Sequence, residues 1–345
     1  MDDKSNIASR PADIGGSHHI PVLDGVRAAS ILLVLAGHML PLGPSQWGLN
    51  HSAATGGMSL FFILSGFLIC SFLLREPPIG EFLIKRITRI VPAVSLYILI
   101  VYGLIDFQPQ IGTATGFYII NYYTDYITSL NSHLWSLCVE MHYYIFAALL
   151  AWMFGRRGLV LFCVALIAVT FLRVSTGTGI SIQTHLRVDE ILAGSTLALF
   201  YHGYFGDFER AKRLLGLLFP VFALFWMATL RPEFELLFYL RPYSAMLLVG
   251  SILYADFKPL RAALTSSPMR YVATISYSLY IWHFFTINFG MNEGDRLTVY
   301  LFKRPVSFIA LALIAHLSTF YLERPVSKYV RNRFLKKPTR TVVTS

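Results

Sequence analysis

The sequence predicts an all-α polytopic membrane helix bundle of about ten transmembrane helices, with both termini cytoplasmic. Three observations predict it. The 345 residues are 55% hydrophobic and only 14% charged, where a soluble protein carries about 25%. Apolar stretches near span length, about 18 residues or more, recur ten times. With the N-terminus placed inside, 22 of the 29 Lys and Arg fall in the inside segments, which is the positive-inside pattern. The basic excess therefore points to a membrane surface and away from nucleic acid.

The segments 1–22 and 331–345 read as cytoplasmic tails, the second basic, around one membrane domain at 23–330. The first 25 residues lack an apolar core, so no cleavable signal peptide is expected and the first span serves as insertion signal. That span, 26–43, carries Arg27 and His38. An ionisable group at mid-bilayer costs roughly 2.5 kcal/mol or more, which makes it a functional candidate by default. Eleven residues along a helix return to within roughly 20° of the same face and rise roughly 16 Å. Arg27 thus marks the inner surface and His38 the depth of the span on one face, suited to two ends of one long ligand.

The second span, 58–74, contains Ser65-Gly66, small residues that suit close helix packing. Before the third, 90–106, Arg86 and Arg89 share a helix face. Their forks suit phosphates, with lipid head groups as the competing reading. The stretch 113–123 is too short to span and reads as interfacial or re-entrant. The fourth span, 134–154, opens with Ser132 as N-cap. His133, Ser136 and Glu140 then form a stripe at i, i+3, i+7. Glu140, roughly 10 Å in from the outside, reaches a depth similar to that of His38. A buried pair that only locks packing is the competing reading.

The fifth span is 158–175. The sixth, 186–202, starts with Arg187, Asp189 and Glu190. The seventh is 213–230; the eighth, 234–255, holds Arg241 before Pro242. The ninth, 269–290, carries His283, and the tenth is 305–322. Ionisable groups gathered in one half of a membrane usually face a water-filled cavity or each other. His18, His19 and His51 are placed in loops without a role. Cys70, Cys138 and Cys163 lie in apolar spans and read as buried hydrophobes rather than disulfides or metal ligands.

Seven short motifs occur in one order. They are Leu23-Asp24-Gly25-Val26-Arg27 through His38; Leu60 to Leu68; Arg86 to Pro92; His133-Leu134-Trp135-Ser136 to Glu140; Arg187 to Gly194; Tyr277 to His283; and Glu323-Arg324-Pro325. Over about 20–330 the chain resembles the acyltransferase-3 family of integral membrane O-acyltransferases, which includes O-antigen and Nod-factor O-acetyltransferases. It departs from that pattern at Ser59, where an acidic residue is frequent, and at Met141-His142, where an acidic residue and Gln are common. It is similar to the short, membrane-only members.

The resemblance implies a bacterial inner-membrane enzyme that moves an acyl group, normally acetyl, from cytoplasmic acetyl-CoA to a hydroxyl of a carbohydrate or glycolipid on the outer side. No metal is implied. Arg27, Arg86 and Arg89 would hold the CoA phosphates. His38 would act as general base, oriented by Glu140 as in a triad; direct transfer and an acyl-histidine intermediate both fit. His133, Trp135, Ser136, Asp189, Glu190, Arg241 and His283 would bind the acceptor. The rival reading is a secondary transporter or flippase with a buried His/Glu/Arg relay. The lack of internal repeats and of paired broken helices counts against it.

Overall fold

The structure, a computed structural model, describes residues 19–288 and 293–335. Of the expected tails, residues 1–18 and 336–345 lie outside the described residues. Among those described, every regular element is helical. The first eight are α1 (Pro21–Met39), α2 (Leu49–Leu73), α3 (Ile79–Ile98), α4 (Pro109–Gly116), α5 (Trp135–Phe154), α6 (Leu161–Ser175), α7 (Thr184–Arg187) and α8 (Asp189–Tyr201). The rest are α9 (Glu209–Leu217), α10 (Phe219–Ala228), α11 (Arg241–Tyr254), α12 (Lys258–Leu264), α13 (Ser267–Asn288), α14 (Arg296–Thr298), α15 (Arg304–Leu317) and α16 (Arg324–Phe334).

Helices cover all ten apolar stretches, but among the described residues six are long and apolar enough to cross a membrane. These contain α1, α2, α3, α5, α11 and the run from α14 to α16, which continues through widened π turns as one 39-residue helix. The other four stretches fall short for separate reasons. Helix α6 has only 15 residues and α8 only 13. Helices α9 and α10 meet at a 65° break and would add a seventh span if taken together. Helix α13 is 22 residues long, but Ser276, Tyr277, Ser278, Tyr280 and His283 dilute its apolar character. The boundary drawn at 330 falls inside α16, which runs to Phe334.

Two local features position the site. Pro21 opens α1, where its missing N–H costs nothing. At the other end Asn50, from α2, donates to the carbonyls of Gly37 (2.8 Å) and Leu40 (2.6 Å). That side chain satisfies acceptors the helix end leaves open and ties the turn carrying His38 to α2. Helix α2 also packs along α1 and α8, and α13 packs on α1. The α2–α8 contact is at backbone distance: a Cβ on Gly66 would lie 1.8 Å from the Ile191 carbonyl oxygen, and one on Gly194 2.0 Å from that of Ile63. This is the close approach expected of Ser65-Gly66, with the two glycines reciprocating.

The peripheral helices turn apolar residues outward. Val164, Ile167, Phe171 and Val174 on α6, and Ile309 and Leu313 on α15, are exposed at helical spacing. Such continuous apolar faces suit lipid and would be unfavourable in water.

Candidate active site

Helix α1 is unbroken from Pro21 to Met39, so Arg27 and His38 stand on one rigid rod, roughly 16 Å apart along its axis. Each faces a different cavity. Arg27 lines one of about 440 Å³ together with Lys85, Arg86 and Arg89 from α3 and Arg324 and Arg331 from α16. Asp24 and Glu323 are the carboxylates in its wall. An adjoining cavity of about 310 Å³ shares Asp24, Arg27, Arg86 and Arg89 and adds Arg75. Arg86 is steadied by rings: its guanidinium lies 5.8 Å from Phe72, 5.9 Å from Phe82 and 6.0 Å from Tyr144. The structure thus brings the three arginines together from two helices far apart in sequence.

His38 lines the second cavity, about 220 Å³, which shares no lining residue with the 440 Å³ basic one. His133, Trp135, Arg241 and Tyr280 are also in its wall. Its hydrogen bonds assign the ring protons. His283 is fully buried, and its Nδ1–H donates to the Tyr280 carbonyl at 2.6 Å. In a neutral imidazole the other nitrogen must then accept. His38 Nδ1 lies 3.1 Å from His283 Nε2, so His38 donates, the two rings being within 12° of parallel. The remaining nitrogen, Nε2 of His38, keeps its lone pair, and His38 is exposed. A histidine with a fixed tautomer and a free, reachable nitrogen can act as a base.

His133 is held the same way. Its Nε2–H donates to the Ile281 carbonyl at 3.0 Å, while its buried Nδ1 has no partner among the described residues. The ring stacks on Phe284, 4.9 Å away, and meets Tyr97 edge-on. Tyr280 donates to the His133 carbonyl, and its hydroxyl lies 2.6 Å from Ser136 Oγ. Two imidazoles with an unshared lone pair, on His38 Nε2 and on the buried His133 Nδ1, are therefore in the wall of one cavity.

The structure corrects several expectations. His133 lies before α5, which starts at Trp135 without a side-chain cap, so Ser132 is not its N-cap. The i, i+3, i+7 stripe is helical only from Ser136 to Glu140. Glu140 does not pair with His38. It accepts from the hydroxyls of Ser65 and Tyr144 and lines a small void with Arg27, Arg86 and Arg89. Depth along an axis fixes height and leaves the direction around the axis open; Glu140 faces α2 and the basic side.

Asp189 and Glu190 are fully buried and lie outside the wall of the His38 cavity. Asp189 binds Arg173, with Arg187 at 3.8 Å. Glu190 binds Arg187 and takes the Arg241 Nε–H at 2.8 Å. These carboxylates hold arginines in place and are not free to meet a ligand. His283 likewise reaches the cavity only through His38. His51 was missed: it lies on α2, not in a loop, and lines the His38 cavity. Tyr280, Arg187 and Arg173 were also absent from the expected site. Arg187 and Tyr280 stood inside two of the seven motifs, and Arg173 at the end of an apolar span, but nothing in the sequence tied them to the site.

Cys70 and Cys138 are buried and Cys163 half-buried, all unpaired. Among the described residues no group of three or more His, Cys, Asp or Glu is arranged to hold a metal ion.

Long apolar helices enclosing a basic cavity and a histidine-lined one define a multi-helix membrane-type protein with a buried polar site. The chain belongs to the acyltransferase family: residues 20–324 match the family described as "Acyltransferase domain". It is 25% identical over 360 residues to O-acetyltransferase OatA of Staphylococcus aureus (strain NCTC 8325 / PS 47), covering 90% of this chain and 57% of that protein. It is 24% identical over 364 residues to peptidoglycan O-acetyltransferase OatA of Listeria monocytogenes serovar 1/2a, covering 90% and 56%. The chain thus spans a little over half the length of these relatives. No solved structure matches it.

Proposed function

We propose that this chain is a multi-pass bacterial membrane O-acetyltransferase that takes acetyl from acetyl-CoA in the basic cavity and gives it to a carbohydrate or glycolipid hydroxyl in the His38 cavity. One observation carries the reading: a single rigid helix puts Arg27 in the wall of an arginine-rich cavity and His38, with a free Nε2, in a different cavity near its other end. The family and the names of the relatives supply the reaction class.

In this reading, which the positive-inside pattern supports, the basic cavity is cytoplasmic, both termini are there, the chain makes about ten crossings of varied length, and the His38 cavity is on the outer side. Arginine forks match the phosphates of CoA, and the pantetheine arm runs along α1 toward His38. His38 Nε2 removes the acceptor hydroxyl proton, and that oxygen attacks the thioester carbonyl carbon. The carbon–sulfur bond breaks, the new ester bond remains, and the proton on Nε2 passes to the departing CoA sulfur. His133 Nδ1 accepts a neighbouring hydroxyl and orients the sugar. His283 holds the His38 ring through Nδ1, the part played by a carboxylate in a serine-type triad.

The test is binding and slow turnover of acetyl-CoA by the purified protein in detergent, wild type beside His38→Ala. Saturable binding by both, with CoA released only by wild type, is the expected result. Absence of binding by both folded proteins overturns the donor assignment and favours substrate flux through a carrier.

A further inference from the structure

Arg173, Arg187 and Arg241 surround only two carboxylates, Asp189 and Glu190, and all five side chains are buried. Three guanidinium groups against two carboxylates leave one positive charge in excess. Arg173 spends its donors on Asp189 and on the carbonyls of Gly179 and Phe238. Arg241 does not: Nε binds Glu190, while Nη1 is buried with no partner among the described residues. Arg187 and Arg241, but not Arg173, are in the wall of the His38 cavity, and among the described residues no carboxylate lines it. The excess charge is therefore at the wall of the cavity, on Arg187 and Arg241, and the unmatched Nη1 is buried in one of these two guanidinium groups.

A buried, unpaired guanidinium is costly, and its planar fork matches a carboxylate or phosphate. Asp189 and Glu190 behind it hold Arg187 and Arg241 rigid, so little side-chain freedom is lost when an anion arrives. A fully neutral ligand would leave the charge uncompensated. We propose that the acceptor carries an oxyanion, a carboxylate or a phosphate on the sugar, held by Arg241 with Arg187 beside it while a hydroxyl of the same molecule faces His38. The assignment of this ligand as acceptor rests on the transfer reading above; the anion site itself does not. It makes the enzyme selective for acidic sugars over neutral ones of the same ring.

The test uses three probes on the full chain in lipid nanodiscs: N-acetylglucosamine, its 3-O-lactyl derivative N-acetylmuramic acid, and N-acetylglucosamine 1-phosphate. Titration calorimetry is expected to give at least tenfold tighter binding for one of the charged sugars than for the neutral parent. Which one wins tells carboxylate from phosphate. The variant Arg241→Gln leaves two guanidinium groups against two carboxylates, with Glu190 still bound to Arg187; it is expected to abolish the preference while acetyl-CoA binding stays intact. Equal binding of all three sugars, binding of none, or a preference that survives Arg241→Gln overturns the proposal. CoA release from acetyl-CoA is followed in the same samples. Release without charge preference removes the anion site and leaves the transfer reading standing. Charge preference lost in Arg241→Gln, without release from wild type, does the reverse.

Discussion

His283 Nε2 lies 3.1 Å from His38 Nδ1, and the Tyr280 carbonyl, 2.6 Å from His283 Nδ1, decides where the protons sit. The three groups form a chain that ends in a lone pair on His38 Nε2. Among the described residues no carboxylate hydrogen-bonds to either ring. A neutral relay spares the cost of burying a charge beside His38, and it leaves the base with the lone pair already directed at the cavity.

His38→Ala is expected to lower acetyl transfer by about 100- to 10,000-fold, the range of a positioned general base, with normal folding. His283→Leu removes the acceptor of the His38 proton while keeping an apolar side chain. Its kcat is expected to fall by about 100-fold with KM for acetyl-CoA unchanged. His283→Gln, which restores an acceptor oxygen, should recover part of that loss. Steady-state kinetics on the three variants decide the matter, and wild-type kcat in His283→Leu would refute the relay.

The arginines make a separable prediction. Arg86→Ala and Arg89→Ala each remove a charged donor from the basic cavity. Charge-assisted bonds contribute about 1.5–3 kcal/mol, so KM for acetyl-CoA should rise about tenfold or more while kcat changes little. If KM holds and activity instead follows the anionic lipid content of the vesicles, these residues bind head groups and not the donor.

The polar residues of this site were legible in the sequence because charge inside an apolar helix is conspicuous. Arg27, His38, Glu140, Arg241 and His283 all stood out on that ground. Their partners were not legible. A helix repeat gives height and relative angle within one helix and nothing about which neighbour that angle faces. Glu140 was therefore matched to His38 by depth, when it turns to Ser65 and Tyr144. His283 passed for a ligand contact because its bond to His38 spans 245 residues of sequence. The lengths of the ten apolar stretches as helices were hidden by the same limit: hydropathy marks the stretches, while α6 and α8 are short and α9 and α10 bend apart.

Glu140 accepts two hydroxyl bonds in a buried site, and its two shortest substitutions should therefore differ. Glu140→Ala leaves Ser65 and Tyr144 without an acceptor. Each unsatisfied buried group costs about 1–3 kcal/mol, so the thermal midpoint should drop clearly. Glu140→Gln keeps an acceptor oxygen for both hydroxyls and should melt near wild type. A Gln variant that melts as low as Ala would mean that the charge, through Arg27, Arg86 and Arg89, is what the fold needs from Glu140.

The α2–α8 contact offers a test of the fold that leaves every polar site residue in place. Gly66→Ala would bring a Cβ to 1.8 Å from the Ile191 carbonyl oxygen, and Gly194→Ala one to 2.0 Å from that of Ile63. Backbone cannot rotate away as a flexible side chain can, so the helices must separate. Overpacking of this kind costs about 1–3 kcal/mol, and more when backbone is involved. Because α8 is held to the site through Asp189 and Glu190, separation should also displace Arg187 and lower acceptor binding. Gly80→Ala is the matched control: a Cβ there meets nothing within 4 Å, and helical alanine is favoured over glycine by about 0.5–1 kcal/mol. The expected order of thermal midpoints is Gly80→Ala at or above wild type, with Gly66→Ala and Gly194→Ala well below it. Equal midpoints for all three would show that α2 and α8 do not meet at backbone distance.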